Sequence, residues 1–283
     1  MFERISRGWH LTKQAVHVLK MDKELLLFPL LSGISCILVL ASFAVPLFMS
    51  GALEAIEENQ ENVTQNAIAW VVMFLFYFVN YFVITFFNSA LVGCAVIRLK
   101  GGDPTVSDGF HSAMSRLPQI AGWALVSATV GIILRMIESR SEKVGQIVAG
   151  LLGMAWSITT YFVVPVLVVE GLGPVASVKR SVAVMRKTWG EALVSNYGIG
   201  FVTFLLSLTG ILPLVGGVVL MGSGQTALGG VLVGIGVVIL IAVALISSAL
   251  NSIIIAALYI YAAEDQMPEG FDSGLVRGAF ASK

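Results

Sequence analysis

The chain has 283 residues, of which 57% are hydrophobic and only 12% are charged, and its formal net charge is zero. Its mean hydropathy of +0.90 is far above that of a soluble globular domain. This composition excludes an ordinary soluble domain, and the balanced charge gives no reason to expect a nucleic-acid partner.

The apolar residues are gathered into six long blocks. A helix needs about 20 apolar residues to cross a bilayer, and each block is at least that long. The blocks cover residues 25–49, 67–97, 117–138, 144–169, 192–220 and 227–262. We therefore predict an all-α polytopic membrane protein that forms a single membrane domain over residues 1–283.

The distribution of basic residues predicts the orientation in the membrane. The first apolar block is longer than a signal-peptide core, so we expect it to be a retained membrane helix. With six crossings, both termini share one side with every Lys and Arg except Arg135, Arg140 and Lys143. The other side carries the acidic loop at 54–61. The positive-inside rule then places both termini in the cytoplasm. We expect the protein to lie in the plasma (inner) membrane.

Three segments on the predicted cytoplasmic side have helical periodicity, at 4–20, 104–117 and 174–190. The third segment is "PVASVKRSVAVMRKTWG", and its apolar positions step by three and four residues, as on one face of a helix. These positions are Val175, Val178, Val182, Met185 and Trp189. In 4–20 the corresponding stripe is Ile5, Trp9, Thr12, Val16 and Leu19, and in 104–117 Asp103 is the predicted N-cap. We expect three amphipathic helices in the cytoplasmic interface.

Basic residues on these helices are the predicted lipid-contact set. Each Lys or Arg near an anionic membrane surface gains about 1 kcal/mol. The predicted set is Lys179, Arg180, Arg186, Lys187, Lys13 and Lys20. The expected partners are membrane lipids, anionic ones in particular.

The cytoplasmic ends of the even-numbered blocks resemble one another. Each contains a small polar pair, an apolar run, a short linker and a proline. This plan predicts three helix-hairpin repeats. The sequence leaves open whether 210–226, which contains Pro213 and several glycines, is re-entrant.

The segments "DKELLLFPLLSG" and "PVLVVEGLGPVASVKRS" resemble a prokaryotic family of uncharacterised six-helix integral membrane proteins. The chain is more distantly similar to the membrane domain of some glycerophosphodiester phosphodiesterases. The resemblance covers nearly the whole chain and implies a membrane fold. It carries over no catalytic residue, since no phosphodiesterase domain is present.

A search for chemistry in the sequence finds little. The chain has no H-E-x-x-H, C-x-x-C or P-loop motif, and Cys36 and Cys94 both fall inside apolar blocks. No acid or base lies at the middle of a block, where proton relays and ion paths place them. We therefore expect no enzyme activity, no metal site and no cofactor.

Uncharged polar residues remain inside the blocks, and Asn88, Thr159 and Asn251 are the central ones. They are interpreted either as residues that form hydrogen bonds between helices or as the lining of a small cavity. Gly145 and the Gly230–Gly234 pair favour close helix packing, within the chain or between subunits of a homo-oligomer.

Two functions remain open at this level. The favoured one is a non-enzymatic membrane protein that organises anionic lipids or partner proteins at the inner leaflet. The alternative is an oligomeric channel or transporter for a small solute.

Overall fold

A computed structural model describes the backbone of residues 2–49, 67–139 and 144–271. Side chains in these ranges are described except at 2–8, 10, 67–69, 188–199 and 201. The predicted acidic loop, Arg140 and Lys143 lie outside the described residues, and so does the side chain of Trp189.

The described residues form nine α-helices and one short 3-10 helix, Lys23–Leu26. In chain order the α-helices are α1 (Phe2–Met21), α2 (Leu27–Met49), α3 (Ala67–Leu99), α4 (Val106–Met114), α5 (Leu117–Ser139), α6 (Val144–Thr159), α7 (Val163–Val169), α8 (Pro174–Gly222) and α9 (Thr226–Glu264). No strand occurs in these three ranges, so the all-α prediction is confirmed for them.

Within the described residues, six segments are long and apolar enough to cross a membrane, in agreement with the predicted number. They are Lys23–Met49, Trp70–Leu99, Leu117–Ser139, Val144–Val169, Val202–Gly222 and Thr226–Glu264. Because each exceeds the length that a bilayer core requires, the chain is a multi-pass helical membrane protein.

The chain divides into two compact units. The first unit comprises residues 1–29, 94–104 and 186–283, and the second comprises residues 30–93 and 105–185. Within the first unit α1 packs against α9, and within the second α5 and α6 form a helical hairpin. The stacked rings of Trp123 and Trp156, whose centroids lie 5.6 Å apart, join the two helices of this hairpin.

The fourth span is interrupted, although the sequence predicted one block over 144–169. Helix α6 ends at Thr159, and α7 begins at Val163. Pro165 explains the break, because in a continuous helix its ring would clash with the backbone carbonyl of residue 161. Proline also has no N–H to donate to that carbonyl. The backbone N–H of Phe162 is instead bound by the Ser181 hydroxyl at 3.0 Å, which satisfies a buried donor in an apolar setting.

Helix α8 is continuous from Pro174 to Gly222, although the sequence predicted a separate helix at 174–190 and a membrane helix at 192–220. The segment between them has no proline, and a single Gly190 costs a helix only about 1 kcal/mol. The helix also runs through Pro213, and a short turn at 223–225 leads to α9. The described backbone of 210–226 is therefore a helix end followed by a turn, without a re-entrant loop.

Helix α4 starts at a different cap from the one predicted. The N-cap is Thr105, whose hydroxyl accepts from the Asp108 amide, while the Asp108 carboxylate accepts from the Thr105 amide at 2.8 Å. This is a capping box. Asp103 is instead paired with Arg98.

Three backbone positions in the left-handed region follow the even-numbered spans. They are Gly101 (φ +86°), Gly171 (φ +66°) and Asp265 (φ +52°). Each stands three residues before a proline, namely Pro104, Pro174 and Pro268. A left-handed residue ends a helix, and a following proline prevents its continuation.

The glycines predicted to mediate close packing differ in their surroundings. A Cβ added to Gly145 would lie 2.7 Å from the Ile137 carbonyl oxygen, so Gly145 packs within the chain. Cβ atoms added to Gly230 and Gly234 would meet no described atom within 4 Å. The homo-oligomer therefore stays a prediction.

Candidate functional site: basic helix faces and helix-end ion pairs

Helix α1 has one buried side and one exposed side. Leu11, Thr12, Ala15, Val18 and Leu19 are all buried, and α1 packs against α9. Of the predicted apolar stripe, Thr12 and Leu19 are buried, whereas Trp9 is 46% exposed. Ala15, which is fully buried, is small enough to let α1 lie close to α9.

The exposed side of α1 combines cations with large amphipathic side chains. We call it the α1 basic face and define it as Trp9, Lys13, His17, Lys20 and Met21, all of which are exposed. The Lys13 ammonium lies 5.9 Å from the centre of the Trp9 ring, within the range of a cation–π contact. No acidic residue occurs between Arg4 and Met21, so the charged side chains of this segment are all basic.

An ion pair fixes the chain just after α1. Asp22 is 8% exposed, and both of its carboxylate oxygens accept hydrogen bonds from Arg98 at the end of α3. Arg98 also contacts the exposed Asp103. Nearby, Lys100 pairs with Glu264 at 2.7 Å. The sequence identified Arg98 only as a topological charge and missed Asp22.

A signal for the Asp22 pair does exist in the sequence. Asp22 stands between an amphipathic helix and an apolar block, at a position where an acid needs a nearby cation. Its partner is 76 residues away, however, so only tertiary structure identifies it. The bidentate geometry is the strong form of a carboxylate contact to arginine.

The first turns of α8 do not carry a uniform basic patch. Lys179 is exposed, but Arg180 donates to the Glu170 carboxylate at 2.7 Å. Arg180 is therefore part of an ion pair, and its predicted contact with lipid stays a prediction. Val175, which the predicted stripe placed on an apolar face, is 66% exposed, whereas Ser177 and Ser181 are buried.

Farther along α8, Arg186 and Lys187 are both exposed. The Lys187 ammonium also approaches the Ala262 carbonyl oxygen near the end of α9, at 3.4 Å. A cation at this position interacts favourably with the carbonyl end of a helix. Lys179, Arg186 and Lys187 are thus exposed, and Lys187 also contacts a helix carbonyl.

Arg116, just before α5, and Gln119, in its first turn, close the end of α7. Arg116 donates to the Val168 carbonyl at 3.2 Å, and Gln119 donates to the Gly171 carbonyl at 3.3 Å. The last carbonyls of a helix have no internal partner. Arg116 is thus a structural cap, a role that the sequence did not reveal.

The residues predicted to line a polar cavity are all half-buried. Asn88 and Thr159 belong to the second unit, and Asn251 belongs to the first. The Thr159 hydroxyl donates to backbone carbonyls of its own helix, to Ala155 or Trp156, at 2.9 Å. Thr159 therefore behaves as a helix-bound hydroxyl.

The described ranges contain no group of three or more His, Cys, Asp or Glu side chains that could hold a metal ion. Cys36 is half-buried and Cys94 is buried. The contacts described for charged side chains are ion pairs, helix caps and the cation–π contact of Lys13.

The comparisons agree with an uncharacterised membrane family. A family model described as Family of unknown function (DUF6159) matches residues 67–270, which is well over half of the chain. No curated protein matches the chain significantly, and the distant similarity to the phosphodiesterase membrane domain stays a prediction. The chain therefore belongs to the DUF6159 family.

Proposed function

We propose that this protein is a non-enzymatic membrane protein whose basic helix faces bind anionic phospholipid headgroups at the inner leaflet. The observation that carries the proposal is the α1 basic face. Its opposite side is buried against α9, so α1 cannot turn its cations inward. Interfacial helices place basic residues toward headgroups and aromatic rings at the boundary of the acyl chains.

Trp9 and Lys13 support this assignment together. A tryptophan that is nearly half exposed is costly in water but favourable at headgroup level, where its ring is amphipathic. The ammonium of Lys13 stays beside that ring, so both groups would meet the interface at one depth. Lys20 lies almost two turns farther along the same face and would contact another headgroup.

The exposed cations of α8 form a second contact set. Lys179, Arg186 and Lys187 are exposed on one helix, and no acid occurs between Pro174 and Gly190. Arg180 is assigned instead to the ion pair with Glu170. The proposed headgroup set is therefore Lys13, Lys20, Lys179, Arg186 and Lys187.

The orientation and location follow from the same charges. We propose that both termini are cytoplasmic in the plasma (inner) membrane, because all Lys and Arg residues except Arg135, Arg140 and Lys143 lie on that side of the six predicted spans. Arg135, on the opposite side, is paired with Glu138 at 3.2 Å. No catalytic step is assigned to the protein.

We further propose that the fold contains three related hairpin units. The support is the recurrence of a left-handed residue followed by proline at Gly101, Gly171 and Asp265. Small polar pairs precede these positions at 88–89, 159–160 and 251–252. Each unit would join an amphipathic helical segment to two crossings.

The headgroup proposal is tested by thermal unfolding of the detergent-solubilised protein. Phosphatidylglycerol should raise the melting temperature more than phosphatidylcholine does, since a ligand of the native state stabilises it. Lys13→Gln with Lys20→Gln should remove about 2 kcal/mol of binding, or roughly 30-fold in affinity. High salt should reduce the wild-type effect by screening.

The matched control keeps the charge and changes only the side chain. Lys13→Arg with Lys20→Arg should bind phosphatidylglycerol as the wild type does. Equal shifts with the two lipids, or an unchanged shift in the Gln variant, would show that the α1 basic face does not bind anionic headgroups.

A further inference from the structure

His17 lies between the two lysines of the α1 basic face. It follows Lys13 by four residues and precedes Lys20 by three, so the three positions fall within about 60° of the helix circumference. Along the helix axis His17 is about 6 Å from Lys13 and about 4.5 Å from Lys20. All three side chains are exposed, so a headgroup that reaches either lysine also comes close to the imidazole.

The imidazole of His17 has no acidic neighbour on its own helix. No Asp or Glu occurs between Arg4 and Met21. In the part of the chain that the structure describes, His17 forms no ion pair and no hydrogen bond. A proton on His17 is therefore not balanced by a carboxylate of these residues, and an anion from outside the protein can balance it.

The elements packed against α1 bring other charged and titratable groups near it, but no second histidine. Helix α1 contacts α9 and the 3-10 helix, and the segment after α9 reaches it where a Cβ on Gly270 would lie 3.4 Å from Val18. The charged and titratable residues of these elements are Tyr259, Tyr261 and Glu264 on α9, Lys23 and Glu24 on the 3-10 helix, and Asp265 and Glu269 after α9. Glu264 is paired with Lys100. Among these types of side chain, only histidine ordinarily changes its charge between pH 5 and 8.

From this arrangement we propose that His17 makes headgroup binding at the α1 basic face pH-dependent, with tighter binding of phosphate-bearing lipids as the imidazole gains its proton. The inference rests on the proposed headgroup binding and adds its regulation. Above the imidazole titration the face presents Lys13 and Lys20, and below it the face presents three adjacent cations. One more cation at an anionic surface should strengthen binding roughly fivefold.

The direction of the pH effect follows from the charges. A phosphate on the face favours the protonated imidazole, so binding takes up a proton, and a lower pH therefore favours binding. The coupling is reciprocal, since a bound headgroup strengthens proton binding to His17 by the same factor.

The test is a lipid titration of the purified full-length protein in neutral detergent, at about pH 5.5 and about pH 8, which bracket the imidazole titration. Melting temperatures over the titration with phosphatidylglycerol give its apparent affinity. Its phosphodiester stays ionised at both pH values, and a parallel titration with phosphatidylcholine removes the effect of pH on the protein itself. The wild type should bind phosphatidylglycerol about fivefold more tightly at the lower pH. Equal affinity at the two pH values would overturn the proposal.

Two substitutions at this exposed position fix its charge. His17→Gln should hold the affinity near the wild-type value of the higher pH under both conditions. His17→Lys should hold it near the wild-type value of the lower pH. An undiminished pH effect in His17→Gln would contradict the role of His17.

The other histidines supply the matched control. The chain has three histidines, His10, His17 and His111, so His10→Gln with His111→Gln leaves His17 alone. This variant should still bind phosphatidylglycerol more tightly at the lower pH. Loss of the pH effect in this variant would assign the effect to another histidine and refute the inference.

Failure of this regulation differs from failure of headgroup binding. If Lys13→Gln with Lys20→Gln weakens the binding of phosphatidylglycerol but the wild type shows no pH effect, headgroup binding stands and the role of His17 is overturned. If phosphatidylglycerol stabilises the wild type no more than phosphatidylcholine does at either pH, headgroup binding fails and the regulation fails with it.

Discussion

Asp22→Asn tests the ion pair that ties the end of α1 to the end of α3. The Asp22 side chain is 8% exposed and that of Arg98 is 19% exposed, and the contact is bidentate. Removing one partner of a buried pair typically costs about 3–5 kcal/mol. Because Arg98 keeps some contact with water and with Asp103, we expect a loss of about 2–3 kcal/mol in the free energy of unfolding.

The chain contains its own control for this variant. Asp103 contacts the same guanidinium, but its side chain is 93% exposed. Exposed ion pairs contribute about 0–1 kcal/mol, so Asp103→Asn should change the free energy of unfolding by less than about 1 kcal/mol. The two substitutions are chemically identical, but the Asp22 contact is buried and bidentate, whereas the Asp103 contact is exposed and single.

The assay is equilibrium unfolding of the purified protein in detergent micelles, followed by tryptophan fluorescence. The reasoning requires a clearly larger loss for Asp22→Asn than for Asp103→Asn. Similar losses for the two variants would refute the claim that burial makes the Asp22 contact the stronger one.

Three further predictions concern packing, a backbone bond and a helix cap. Gly217→Ala should lower the free energy of unfolding by about 1–3 kcal/mol, since its Cβ would lie 2.6 Å from a carbonyl oxygen of α9. The control Gly216→Ala, whose Cβ meets no atom within 4 Å, should be neutral or stabilising. Thermal unfolding distinguishes the two variants. Ser181→Ala should cost about 1–3 kcal/mol in the same assay, because it leaves the buried Phe162 N–H without its acceptor. The hydroxyl and amide of the N-cap Thr105 lower the pKa of Asp108. The stabilisation of α4 by Asp108 should therefore be full above the pKa that Asp108 has in the unfolded chain, and be lost as the pH falls through its lower pKa in the folded protein. Unfolding measured over a pH series checks this, since Asp108→Asn should lack the dependence.

The membrane class and the six spans could be predicted because length and hydropathy alone decide whether a helix crosses a bilayer. The α1 basic face was only partly predictable. Lys13 and Lys20 were placed off the apolar stripe and are exposed, but Trp9 was placed on one stripe with Thr12 and Leu19, from which it differs in burial. In a membrane protein, periodicity does not separate apolar residues that face protein from those that face lipid.

The features that the sequence did not predict depend on tertiary contacts or on helix-breaking residues. Asp22 and Arg98 are too far apart in the chain for any local pattern to connect them. The break before α7 had a visible cause in Pro165, but the unbroken apolar composition concealed it. The first turns of α8 were separated from its membrane part by charge, although no residue there ends a helix.

The most direct test of the central claim is the lipid composition around the protein. The full-length protein is placed in vesicles with equal amounts of phosphatidylglycerol and phosphatidylcholine, and polymer-bounded discs are excised for lipid analysis. Discs around the wild type should be enriched in phosphatidylglycerol, and neutralising Lys13, Lys20, Lys179, Arg186 and Lys187 should restore the bulk ratio. A wild-type disc with the bulk lipid ratio would contradict the proposed headgroup binding.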